Sequence, residues 1–166
     1  MKSFLTLIAF IFVFHFSFAQ LKKQADCPTF VVDVLDGHVN RYNTKSTMAE
    51  ITKQFPCYTD IVEQASGTNC ASVSYKDKGI YFFPERNYFE IRENFIGKLS
   101  VPLMGSNRKS LFKTLGNPIV KDANWDAFKT NYGILVLYYN KTGKVNKLQI
   151  SNKSAESIKL CESVSK

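Results

Sequence analysis

An internal repeat is the strongest constraint on this chain, because a fold must then accommodate two like units. Residues 45–56 (KSTMAEITKQFP) align without gaps on residues 105–116 (GSNRKSLFKTLG), so that Ser46 matches Ser106, Ile51 matches Leu111, Lys53 matches Lys113 and Phe55 matches Leu115. Both copies read as helices. In the first, Thr47-x-x-Glu50 is a capping box, in which each side chain accepts from the other residue's backbone N–H, and Met48, Ile51 and Phe55 recur at helical spacing. In the second, Ser106 or Asn107 caps, and Leu111 and Leu115 form the buried stripe. Pro56 ends the first helix; Gly116 followed by Pro118 ends the second.

A strand-rich stretch follows each helix. Tyr75–Phe83 resembles Phe128–Leu137 with one residue inserted, and each turns as a hairpin near Gly79 or Gly133. A further strand follows in each half, Tyr88–Ile91 and Val145–Ile150, the latter after the turn Asn140-Lys-Thr-Gly143. Extended apolar pieces, Phe30–Leu35 and Phe95–Leu103, precede the helices, and Ser154–Val164 reads as a short terminal helix carrying Cys161. The expected class is α+β: two tandem repeats of a helix packed on a small antiparallel sheet, stabilised by disulfides. The first repeat spans residues 20–94, the second residues 95–166 including the C-terminal helix.

Residues 1–19 read as a secretory signal peptide. Lys2 supplies the positive n-region, Phe4–Phe16 the apolar h-region and Ser17-Phe18-Ala19 the small-x-small pattern, with cleavage after Ala19. The expected location is therefore secreted or periplasmic. Removing the leader takes away Lys2 only and leaves an excess of seven basic residues, spread without a dense run. Outside the cytoplasm such a surface suits anionic lipid, glycan or an acidic protein better than nucleic acid. All four cysteines lie beyond the leader, and an even number in an oxidising compartment argues for two disulfides with three possible connectivities. Closeness in sequence favours Cys57–Cys70, and the ends of the mature chain favour Cys27–Cys161. A zinc site is disfavoured: there is no Cys-x-x-Cys pair and His38 is the only mature histidine.

The strands carry the functional expectation. Ile134–Tyr139 is apolar on both faces, with Ile134, Val136 and Tyr138 on one and Leu135, Leu137 and Tyr139 on the other; Ile80–Phe83 behaves likewise. One face packs on its helix. The second is either buried between the halves or exposed as an aromatic docking surface, for which Tyr81, Phe83, Tyr138 and Tyr139 are the candidates. Trp125, in the polar stretch Lys121–Lys129 read as a loop, is either a lid or a further anchor.

Catalytic motifs are missing. There is no Gly-x-Ser-x-Gly elbow, no phosphate-cradling glycine loop and no His-Glu-x-x-His, and nothing calls for a cofactor or metal. A small hydrolase using Glu90 or Glu93 with His38 is the rival reading. The preferred one is a non-enzymatic module that binds a protein partner. A basic envelope component holding anionic lipid or glycan at a membrane surface is the third.

Residues 101–118, VPLMGSNRKSLFKTLGNP, resemble the strand and helix start of the β-lactamase-inhibitor-protein-like repeat, shared with small outer-membrane assembly lipoproteins of the SmpA/OmlA type. In those units a Gly-polar-polar start leads into a helix closing with Leu-Gly-x-Pro, followed by an antiparallel sheet. The likeness runs from about Phe95 to Ile150; in the first half Phe55-Pro-Cys57 replaces the Leu-Gly-x-Pro close. It implies an envelope or secreted protein that binds other proteins through sheet faces and loops, and a helix-to-sheet disulfide similar to Cys57–Cys70.

Overall fold

Both helices form where their caps place them. A computed structural model describes residues 26–63, 70–158 and 161, and the leader lies outside the described residues. Helix α1 spans Met48–Gln54: Thr47 Oγ1 accepts from the Glu50 N–H at 3.3 Å, and the Glu50 carboxylate accepts from the Thr47 N–H at 2.7 Å. Those bonds from Thr47 hold the Glu50 carboxyl below its usual range. Thr47→Ala should cost about 1 kcal/mol in a urea titration, and a loss below a few tenths would show the cap to be dispensable. Helix α2 spans Arg108–Leu115, is capped by Asn107 and stops at Gly116.

The strands do not form two separate small sheets. Strands β4 (Asp60–Val62), β5 (Ser72–Tyr75), β6 (Ile80–Phe83) and β7 (Tyr88–Arg92) make one antiparallel meander. Strands β9 (Val120–Lys121), β10 (Trp125–Lys129), β11 (Ile134–Tyr139) and β12 (Val145–Ser151) make another. Strand β12 pairs antiparallel with β7 from Lys147↔Arg92 to Ser151↔Tyr88, fusing both into a single eight-stranded sheet. The remaining strands, β1 (Phe30–Asp33), β2 (His38–Val39), β3 (Tyr42–Asn43) and β8 (Gly97–Leu99), form a second sheet in the order β3-β2-β1-β8. Within it β8 pairs parallel to β1, so a strand leading into the second half completes a sheet begun by the first.

The expected tandem helix-plus-sheet repeats are thus corrected: among the described residues the chain is mostly β, with two sheets and two short helices of seven and eight residues. A helix of two turns is too short to cover a sheet, so the second sheet shares that task. Phe30, Val32 and Val34 from the β1 region join Ile51 and Phe55 of the α1 region and Leu111 of α2 over one face of the large sheet. Two residue rows build that face. One runs Asp126, Leu137, Leu148, Ile91, Ile80 and Tyr75; the other runs Phe128, Leu135, Ile150, Phe89, Phe82 and Val73. The Tyr75 hydroxyl donates to the buried Phe55 carbonyl at 2.7 Å, locking the end of α1 to the sheet.

The disulfides are also corrected. Cys27 pairs with Cys57 and Cys70 with Cys161, in place of Cys57–Cys70 and Cys27–Cys161. Cys27 precedes β1 and Cys57 follows α1, and both pack against the same core. Cys70 lies with Phe83 and Tyr88 on the other face of the large sheet, where the end of the chain returns and the Cys161 N–H donates to the Tyr88 hydroxyl. Of the expected terminal helix, Ser154–Ile158 forms one turn, in which the Ile158 N–H donates to the Ser154 carbonyl; residues 159–160 and 162–166 lie outside the described residues.

Candidate functional site

Alternation along the strands gives the large sheet a second face with its own rows. The middle row crosses all eight strands: Val120, Ala127, Val136, Gln149, Glu90, Tyr81, Ser74 and Asp60. A flanking row places Trp125, Tyr138, Lys147 and Arg92 side by side on β10, β11, β12 and β7. The face is therefore apolar over β9–β11 and charged over β12 and β7.

The charged part is a closed network. Glu90, buried, accepts from Arg92 Nε at 3.1 Å and Nη2 at 2.9 Å and from Gln149 Nε2 at 2.7 Å; Gln149 Oε1 in turn accepts from the Tyr138 hydroxyl at 2.6 Å. The Arg92 guanidinium stands 3.8 Å from the Tyr81 ring centroid and the Lys147 ammonium 3.9 Å from that of Tyr138. Burial, followed by the Glu90 charge, pushes the Tyr138 phenol up to about 12. Burial also lowers the Lys147 ammonium, Arg92 adds to that, and Glu90 opposes it from 4.0 Å. Among the described residues Lys147 makes no hydrogen bond through its ammonium, whereas Arg92 spends two donors on Glu90.

The apolar part is a groove of about 660 Å³. Ala127, Ile134, Val136 and Gln149 line it from the sheet, as do Val120 of β9, Trp125, Tyr138 and Lys147. Ala155, Ile158 and Cys161 cover it, brought there by the return of the chain to Cys70. Tyr138 and Lys147 also line a second cleft of about 700 Å³, with Arg92, Glu93, Asn94, Asn124, Tyr139 and Asn146 around it.

The structure separates the five aromatic candidates. Trp125 and Tyr138 line the groove; Trp125 is the first residue of β10, so the expected loop at Lys121–Lys129 is two strands and a turn. Tyr81 lies under Arg92. Phe83 is buried and stacked on Tyr88 with ring centroids 4.6 Å apart. Tyr139 points to the core face, where its hydroxyl donates to the fully buried Asp126 at 2.7 Å. A register shift between Tyr138 and Tyr139 accompanies that turn inward. Asp126 also takes a two-pronged contact from Arg108, whose remaining donors reach the carbonyls of Asp122 and Ala123.

The hydrolase candidates are dispersed. His38 lines a shallow cleft with Asp33, Asp36 and Tyr132 on the small sheet, Glu90 is held in the network, and Glu93 is exposed. Among the described residues no three His, Cys, Asp or Glu side chains form a metal site. Sequence reading missed Ala127, Val136, Lys147 and Gln149 as site residues. The alternation of β11 and β12 carries the signal, since it puts Val136 beside Gln149 and Tyr138 beside Lys147.

No family model, no curated protein and no solved structure matches the chain. The two disulfides are consistent with an extracytoplasmic location. No helix among the described residues is long and apolar enough to cross a membrane.

Proposed function

We propose that the chain is an extracytoplasmic, non-enzymatic binding protein, exported by its leader, that takes an apolar ligand into the groove on the second face of its large sheet. The observation that carries this is the groove itself: apolar floor, aromatic wall, a cover tied down by a disulfide, and a volume in the usual range of ligand sites. The same geometry narrows the expectation of a protein partner. With Phe83 and Tyr139 buried, the face offers a slot for a narrow apolar body in place of a broad aromatic surface.

Trp125 is the only tryptophan and stands in the wall, so the test has a built-in reporter. A neutral naphthyl probe, N-phenyl-1-naphthylamine, should brighten on binding and quench Trp125. Ile158→Glu, a change in the cover outside the sheet, should weaken that binding by about tenfold, the scale of removing one buried aliphatic side chain and adding a charge. An unchanged probe signal in Ile158→Glu, or none in the wild-type protein, would remove the groove as the binding site.

A further inference from the structure

The groove and the polar cleft adjoin and differ in chemistry. They share Tyr138 and Lys147: on one side lie Ala127, Ile134 and Val136, on the other Asn94, Asn124 and Asn146. Lys147 stands where the two meet, with its side chain about one-third exposed, its ammonium 3.9 Å from the Tyr138 ring centroid and 4.0 Å from its nearest carboxylate, Glu90. Glu90 is already satisfied by Arg92 and Gln149, so it does not need Lys147. Partial burial of an ammonium is a cost that an anionic partner offsets.

Building on the groove as the binding site, we infer that the ligand is a single-chain amphiphile with an anionic head group. Its chain lies in the groove, its anion meets Lys147, and the polar remainder of the head occupies the asparagine-lined cleft. A bare hydrocarbon adds nothing to the long 4.0 Å contact of Lys147 with Glu90, and a cationic head meets both Lys147 and Arg92. Glu93, the carboxylate on the cleft side, is exposed and therefore screened. The amides of Asn94, Asn124 and Asn146 around the cleft suit a head that carries its own hydroxyl donors and ester acceptors, such as a glycerophosphate.

The test displaces the naphthyl probe from the mature, disulfide-bonded protein, using four twelve-carbon amphiphiles below their micellar concentrations. Lauroyl-lysophosphatidylglycerol should displace it at least about tenfold more tightly than lauroyl-lysophosphatidylcholine, dodecanoate should fall between them, and dodecyltrimethylammonium should be weakest, as expected for one charge-assisted contact. In Lys147→Met the preference for the anionic lysolipid should shrink to about twofold while the thermal midpoint does not fall, because the substitution removes a desolvated charge. Equal displacement by all four would overturn the head-group assignment and leave the groove reading standing. Dodecanoate binding as tightly as the anionic lysolipid would overturn the role given to the polar cleft. Failure of the naphthyl probe itself to bind would sink both readings.

Discussion

Arg108→Leu lowers the unfolding free energy by about 3–5 kcal/mol, the cost of leaving a buried charge without its partner. Asp126 is fully buried at one end of a core row whose other members are Leu137, Leu148, Ile91, Ile80 and Tyr75. Its oxygens are met by Arg108, the first residue of α2, and by the Tyr139 hydroxyl. The guanidinium also lies 4.8 Å from the Tyr139 ring centroid and ties down the carbonyls of Asp122 and Ala123, so it joins α2, the β9–β10 turn and the large sheet. Removing only the cation keeps the buried anion. Removing both in Arg108→Leu with Asp126→Leu should therefore recover more than half of the loss, since an apolar pair suits that row. Urea titrations of the two variants decide the matter. A single-variant loss below about 1 kcal/mol would place this pair with surface ion pairs.

Local structure was legible because its causes are local. The Thr47–Glu50 box and the Gly116 stop set both helices from a few adjacent residues, and the hairpins turn near Gly79 and Gly133 as expected. Gly79 closes its turn at φ +67°, with the Phe95 backbone nitrogen 2.6 Å from where a Cβ would stand, so no other residue fits without strain. What failed was non-local. The pairing of β12 with β7 joins residues far apart in sequence, and no local pattern states that two meanders share an edge. The disulfides failed for the same reason: nearness in sequence ranked Cys57 with Cys70, while the fold places these two on opposite sides of the large sheet's core. The site was half legible. Alternation in Ile134–Tyr139 separated a core face from a second face, as found, but aromatic content pointed to Phe83 and Tyr139 while the groove is floored by Ala127 and Val136. Asp126 helped make a strand pair look like a polar loop, because a buried carboxylate reads as surface until its partner, here Arg108, is known.

Removing the Cys70–Cys161 bond, as Cys70→Ala with Cys161→Ala, should cost about 4–5 kcal/mol by the chain-entropy estimate for a separation of 91 residues. Removing Cys27–Cys57, whose separation is 30, should cost about 3–4 kcal/mol. The difference in stability is modest; the difference in function should not be. Cys27–Cys57 joins the approach to β1 to the exit of α1, within the core side of the fold. Cys70–Cys161 instead holds the returning chain over the second face, where Ala155, Ile158 and Cys161 cover the groove. Releasing it frees that cover and exposes the floor to water, so the naphthyl probe should bind about tenfold more weakly, the scale of re-exposing two small aliphatic groups to water. The Cys27/Cys57 variant, compared at a temperature where both remain folded, should keep wild-type affinity. Equal loss of affinity in the two variants would mean that the groove responds to global stability alone. A selective loss in the Cys70/Cys161 variant would tie ligand binding to the oxidised state of one bond, and so to the compartment in which that bond forms.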